Sequence, residues 1–231
     1  LDAPLAAARA EGCPSIVHVR ELPDQDPYLC QILGDSARGL RRRLLDEADR
    51  FVANSPAVVD LIDAQGRVTL RINEIDPDLF NLPYAPETNL RVALISSNIA
   101  KKGIKDFVNI ARLVAEAEAD QHVPPDARCR FLLIGPASAD LLSLGALPSN
   151  VEITGYLEGP VAAIERADLV LILSNFAESF GRTALEAMAA GRPVICYDRG
   201  TPPLLIIPGT TGFAVPSGDL NAATRAVLAV S

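Results

Sequence analysis

Two carboxylates with seven residues between them, Glu178 and Glu186, bracket a Phe180-Gly181 turn in the stretch SNFAESFGRTALEAMAAGRPV, Ser174 to Val194. An ionised carboxylate is acceptor-only and takes two hydroxyls at once, which suits a polyol. Thr183 and Glu186 are three residues apart and share a helix face. Unpaired N–H groups and the positive end of a helix dipole beyond Gly181 suit a phosphate. A diphosphate between two polyols is a nucleotide-sugar, the ligand class that these residue types in this spacing can hold.

Such a site needs a strand before the loop and a helix after it. Asp168 to Ser174, DLVLILS, is an apolar run bounded by polar residues and reads as a buried parallel strand. Ala184, Leu185, Met188 and Ala189 recur at helical spacing, and Gly191 with Pro193 closes that helix. Pro193 to Tyr197 begins the next strand. Strand, polar loop, helix and strand deliver the loop to the carboxyl edge of a parallel sheet.

ESFGRTALEAMAAGRPV resembles the donor-site signature of the retaining GT-B glycosyltransferases of glycosyltransferase family 4. The resemblance implies that Glu178 contacts the transferred sugar and that Glu186 holds the ribose hydroxyls. Phe180, Gly181 and Arg182, with Thr183 beside them, would form a turn whose backbone N–H groups meet sugar or phosphate. SSNIAKKG, residues 96–103, resembles the family's glycine-arginine…lysine-glycine loop. Lys102 matches the lysine that meets the diphosphate, and Ser97 stands where arginine is common. Gly155-Tyr156 resembles the loop whose backbone meets the base. PSIVHVRE resembles the strand that often ends in a histidine beside the reacting sugar; Arg20 takes that place, with His18 two residues earlier on the same side. FVANSPAVVDLI and INEIDPDLF resemble a late strand–helix and a loop of the family's N-terminal domain.

The resemblance implies an α/β chain of the GT-B class, two Rossmann-like doubly wound domains of which the first is incomplete. Residues 1–86 would be the second half of the acceptor-side domain, and 87–231 the donor-binding domain without its last helices. The implied activity moves a sugar from a nucleoside-diphosphate sugar to an acceptor hydroxyl with retention of anomeric configuration. Glu178, Lys102 and Arg20 would be its catalytic group. No metal and no cofactor beyond the donor is expected. The partners would be a nucleotide-sugar and a carbohydrate or glycolipid acceptor, not nucleic acid, in the cytoplasm or at the inner face of the membrane. Two other readings stay open: a non-catalytic nucleotide-sugar-binding module and a GT-B sugar-nucleotide epimerase.

Composition is compatible with this. A chain of 231 residues, 49% hydrophobic, can bury one full core and part of another. A net charge of −8 argues against a nucleic-acid or anionic-membrane surface as the main role. Cys13, Cys30, Cys129 and Cys196 lack metal-ligand spacing and read as apolar fillers in a reduced compartment. Two histidines make a His-rich metal site a poor reading. No apolar run is long enough for a transmembrane helix. The chain opens without Met in a helical pattern and ends in another, and reads as a fragment.

Taken in order, the first part reads as a helix from Pro4 to Glu11, a buried strand from Ser15 to Val19, and a polar loop from Asp24 to Leu33. A helix with a solvated basic face then runs from Leu40 to Asp49, followed by a strand from Phe51 to Asn54. Ser55-Pro56 starts a helix to about Ile62. Val68 to Arg71 is a strand and Asn73 to Phe80 a loop. Leu82 to Asn89, with two prolines, is the expected domain boundary. Beyond it, strands are expected at Arg91–Ile95, Cys129–Ile134, Val151–Tyr156 and Gly212–Val215. Ile104, Phe107, Val108, Ala111 and Val114 mark one helix; Val161 to Ala167 and Leu220 to Val230 mark two more. No GxGxxG dinucleotide fingerprint occurs.

Overall fold

The computed structural model describes residues 2–64, 66–84 and 89–231. The chain divides into two compact units, Leu1–Glu74 with Phe176–Phe180, and Ile75–Asn175 with Gly181–Ser231. The expected break between residues 86 and 87 lies outside the described residues. The segment before it belongs to the second unit: Ile75, Leu79 and Leu82 pack into that unit's core, and a 3-10 turn, Pro77–Asn81, replaces the expected loop.

In the first unit, α1 (Asp2–Ala10), β1 (Ile16–Val19), α2 (Pro27–Leu33), α3 (Ala37–Glu47), β2 (Arg50–Ala53), α4 (Pro56–Ile62) and β3 (Val68–Leu70) succeed one another. The strands form a parallel sheet, β1-β2-β3. Val17, Val19, Phe51 and Ala53 share one core with Leu5, Leu22, Val58, Ile62 and Ala177. β1 is therefore buried on one face only, a correction to the buried strand expected there: Ile16 is 69% exposed and His18 faces outward.

Two further readings change. The expected loop at Asp24–Leu33 contains α2. Asp26 accepts from Leu29 N, Pro27 opens the helix, and Gly34 closes it in the left-handed region at φ 63°. Tyr28, Leu29, Ile32 and Leu33 lie at helical spacing in this seven-residue helix, although none of its residues is buried. The basic face of α3 is also not merely solvated. Arg41 donates through Nε to Leu61 O at 2.6 Å and through Nη2 to Ile62 O at 3.2 Å, covering carbonyls at the end of α4.

The second unit contains β4 (Arg91–Ile95), α5 (Ile104–Asp120), β5 (Arg130–Ile134), α6 (Ala139–Leu142), β6 (Val151–Gly155) and α7 (Gly159–Glu165). It continues with β7 (Leu169–Ile172), α8 (Arg182–Ala189), β8 (Val194–Tyr197), α9 (Pro202–Leu205), β9 (Gly212–Val215) and α10 (Leu220–Leu228). Its six strands are all parallel, in the order β6-β5-β4-β7-β8-β9. Alternation along each strand fills two cores. Val92, Leu94, Phe131, Leu133 and Leu171 pack with α5 and α10. Ala93, Leu132, Ile134, Val170 and Ile172 pack with α7, α8 and Ile206. This is the doubly wound arrangement expected for the second domain.

Cys129 and Cys196 are buried within this unit, and all four cysteines are free thiols. Burial, with the Glu118 carboxylate beside it, pushes the Cys129 thiol up to about 12, so it stays protonated and unreactive.

One ion pair ties the two central strands together. Asp168, fully buried, accepts from Arg91 N and Nε at 2.9 Å through Oδ2, and from Nη2 at 2.8 Å through Oδ1. The bidentate geometry fixes the register at the amino ends of β4 and β7. Removing the carboxylate strands a largely desolvated guanidinium. Asp168→Ala is expected to lower the unfolding free energy by about 3 kcal/mol in urea denaturation.

Candidate functional site

The strand order reverses between β4 and β7, and their loops leave the same carboxyl edge of the sheet. In a doubly wound sheet this is the place where ligands bind. The β4 loop, Ser96 to Gly103, is stitched into position by its neighbours. Asn98 is buried at φ 52°; its N–H donates to Ser96 Oγ at 3.0 Å, closing a local turn, and its Nδ2 donates to Pro136 O at 3.2 Å. Ala100 N donates to Asp140 Oδ2 at 2.7 Å, and Lys101 O accepts from Asn175 N at 2.8 Å. Gly103 sits at φ 78°, where an added Cβ would lie 2.1 Å from Leu173 O. Only glycine allows the β4 and β7 loops to approach this closely. Lys102, half-buried, is the residue before it, and Ser97 is exposed.

The β7 loop leads to α8 through Gly181, at φ 77°, where a Cβ would meet Pro202 Cγ at 2.9 Å. Both α5 and α8 thus begin at a left-handed glycine, and no side chain caps either one. Ser138 caps α6 and Asp219 caps α10, whereas α7 and α9 also lack a side-chain cap. Two helix starts beside one sheet edge leave first-turn N–H groups and positive dipole ends available to an anion.

Glu186, on α8, is 8% exposed. Arg182 Nε donates to its Oε1 at 2.8 Å. Burial pushes the Glu186 carboxyl above its ordinary 4.5, Arg182 pulls it down, and Asp76 adds a smaller push upward. Thr183 is half-buried on the same helix. Arg199, in the loop after β8, is not among the expected site residues. Its Nη1 donates to Asn175 O at 2.5 Å, so Lys101, Asn175 and Arg199 form one chain of contacts across three loops. An arginine in a turn gives no local sign of such a role. Gly155 is at φ 82° with its carbonyl accepting from Gly135 N at 2.9 Å, and Tyr156 is 72% exposed.

The remaining candidates belong to the first unit. Ser179 Oγ donates to Arg20 O and accepts from Asn54 Nδ2 at 3.2 Å; Ala177 N donates to Gln25 O at 3.4 Å. These contacts bring the segment carrying Glu178 and Phe180 to the strand end carrying Arg20. Glu178 is half-buried, Phe180 buried and Arg20 exposed. One aspartate of each Asp-x-Asp tripeptide is a cap: Asp26 accepts from Leu29 N, and Asp76 from Asp78 N at 3.0 Å. Among the described residues no group of three or more His, Cys, Asp or Glu is placed to hold a metal. No helix among them is long and apolar enough to cross a membrane.

Residues 90–231 match the protein family described as glycosyl transferases group 1. The chain is 30% identical over 224 residues to the GDP-mannose-dependent alpha-mannosyltransferase of Mycobacterium tuberculosis, covering 94% of this chain and 57% of that protein. It is 26% identical over 207 residues to the D-inositol 3-phosphate glycosyltransferase of Corynebacterium kroppenstedtii, covering 80% and 46%. The chain therefore spans about half the length of these relatives. Among solved structures, Anabaena HepE in complex with UDP-glucose is similar at a TM-score of 0.77 and 20% identity, over 98% of this chain and 65% of that one. Sucrose-phosphate synthase from Thermosynechococcus elongatus is similar at 0.69 and 21%, over 99% and 67%. The fold is GT-B, α/β with two Rossmann-like sheets, the first of them small.

Ionised Glu186 is a burden on the fold. Its folded pKa lies above the ordinary 4.5, so between those values the native chain holds a proton that the unfolded chain releases. Stability therefore falls as pH rises through the folded pKa and stays lower above it. Glu186→Gln is expected to melt at a higher temperature than the parent in neutral buffer, with the difference shrinking on acidification toward the ordinary carboxyl value. Thermal melts across pH check this.

Proposed function

The chain belongs to the glycosyl transferases group 1 family, and on that premise we propose that it binds a nucleoside-diphosphate sugar and serves the transfer of the sugar to an acceptor hydroxyl with retention of configuration. The observation that carries this reading is the β4–β7 edge: two helices that start at uncapped glycines flank it, and the second holds the buried Glu186. Anion donors beside a desolvated acceptor match a diphosphate joined to a ribose.

In this reading Glu186 holds the ribose hydroxyls. Lys102 and the N–H groups that begin α8 meet the diphosphate, and the backbone near Gly155-Tyr156 meets the base. Glu178 orients the sugar, with Arg20 as a further donor to sugar or phosphate. Departure of the nucleoside diphosphate places negative charge on its bridging oxygen. Prearranged donors lower the barrier because they need no reorganisation as that charge forms; losing one typically costs about 3 kcal/mol, roughly a hundredfold in rate. Lys102 and the helix start supply this charge stabilisation without a metal. The second unit, Ile75–Asn175 with Gly181–Ser231, is the donor-binding domain, and the first unit forms part of the acceptor side. A carbohydrate or glycolipid acceptor and a cytoplasmic location, with peripheral membrane contact, complete the proposal. The names of the Mycobacterium tuberculosis relative and the Anabaena neighbour make GDP and UDP the first bases to try.

Calorimetric titration of the chain with GDP, UDP and ADP, then with their common sugar conjugates, tests this. One base is expected to bind saturably, and Glu186→Ala to weaken it about 10-fold to 100-fold, the loss of charge-assisted hydrogen bonds to two hydroxyls. A folded chain that binds none of them, or equal binding by Glu186→Ala, would overturn the donor site.

A further inference from the structure

Arg182 and Glu186 lie one turn apart on α8, and their environments are unequal. The Arg182 side chain is 53% exposed, whereas that of Glu186 is 10% exposed. A pair at this spacing adds little to a helix, so helix stability does not account for a carboxylate taken out of water. Buried carboxylates normally have their lone pairs satisfied. Here Oε1 accepts from Arg182 Nε at 2.8 Å. The elements packed against α8 are α7, α9, β7, β8 and the 3-10 turn Pro77–Asn81. From them the one charged group acting on Glu186 among the described residues is Asp76, at the start of that turn, and it is of like sign. Arg182 is the only cation acting on Glu186 among the described residues.

Building on the reading of Glu186 as the ribose clamp, we propose that Arg182 is a positioning residue: its guanidinium holds Oε1 and leaves the other carboxylate oxygen for the ribose 2′- and 3′-hydroxyls of the donor. A carboxylate has about four lone-pair sites, so one bond from Arg182 and two from hydroxyls are compatible. The guanidinium also keeps the carboxylate ionised where burial and Asp76 both favour the neutral acid. Without it, Glu186 takes up a proton at a higher pH. The neutral acid places a proton on one oxygen and loses acceptor capacity, so one of the two hydroxyl bonds is lost. Arg182 thus acts on the nucleotide through Glu186 and not as a direct phosphate ligand. This gives the site an acid limit set by one residue pair.

The test is calorimetric binding of GDP and UDP, each beside its 2′,3′-dideoxy form, to the parent chain, Arg182→Met and Arg182→Lys, from about pH 5 to about pH 8. Arg182→Met is expected to bind the ribonucleotide about tenfold more weakly near neutral pH, a loss on the scale of one charge-assisted hydrogen bond. Its loss of affinity on acidification is expected to begin at a higher pH than in the parent. Arg182→Lys, which keeps the charge, is expected to move the profile most of the way back, and the dideoxy forms to bind all three chains alike. A second readout needs no nucleotide: the carboxyl carbon-13 titration of Glu186, assigned by its loss in Glu186→Gln, is expected to move upward in Arg182→Met. Equal weakening of ribo and dideoxy forms with an unmoved pH profile overturns the proposal, as does an unmoved Glu186 titration, and either leaves the ribose clamp standing. A parent chain that does not distinguish ribo from dideoxy forms removes the clamp itself, and this proposal with it.

Discussion

All six strands of the second unit run in one direction, so each must be succeeded by a crossover that returns the chain to the starting edge. Every loop that leaves a strand's carboxyl end therefore emerges on the same side. The order β6-β5-β4-β7-β8-β9 then makes β4 and β7 neighbours, while α5 packs in one core and α8 in the other. Two helix starts diverge from adjacent strands, which is the geometric origin of a binding crevice. Asp168 and Arg91 hold those two strands in register at the opposite edge.

The carboxyl edge is built against stability. Gly103 and Gly181 adopt left-handed backbone at positions where a Cβ would collide with Leu173 and Pro202. The helices they begin have no side-chain caps, as α7 and α9 also have none, although the fold supplies caps at α2, α3, α4, α6 and α10. Glu186 is desolvated enough to disfavour its own charge. Uncapped helix starts and a buried carboxylate concentrated at one edge are the pattern of a candidate functional site.

The first unit depends on a different set of contacts. Its three strands bury a single face, and a segment from far along the chain, Phe176–Phe180, joins it through Ala177 in the core and Ser179 against Arg20 O and Asn54. Glu178 is thereby held with the first unit, and Glu186, eight residues later, with the second. A signature that is continuous in sequence is thus divided between two packed bodies.

By itself the sequence determined the elements whose information is local. Ser55-Pro56 opens α4, Arg91–Ile95 and Gly212–Val215 are strands, and the apolar period from Ile104 marks α5, because caps, runs and stripes need only neighbouring residues. The spacing of Glu178 and Glu186 is likewise local, and it carries the resemblance to the family's donor-site signature. Tertiary structure decided the rest. α2 is a seven-residue helix that buries none of its residues, and Arg41 closes α4 from twenty residues away. Arg199 meets Asn175 only after β7 and β8 are paired, and Glu186 becomes a desolvated acceptor only once α8 is packed. Burial and long-range hydrogen bonds are properties of the folded chain, and no local pattern of residue types encodes them.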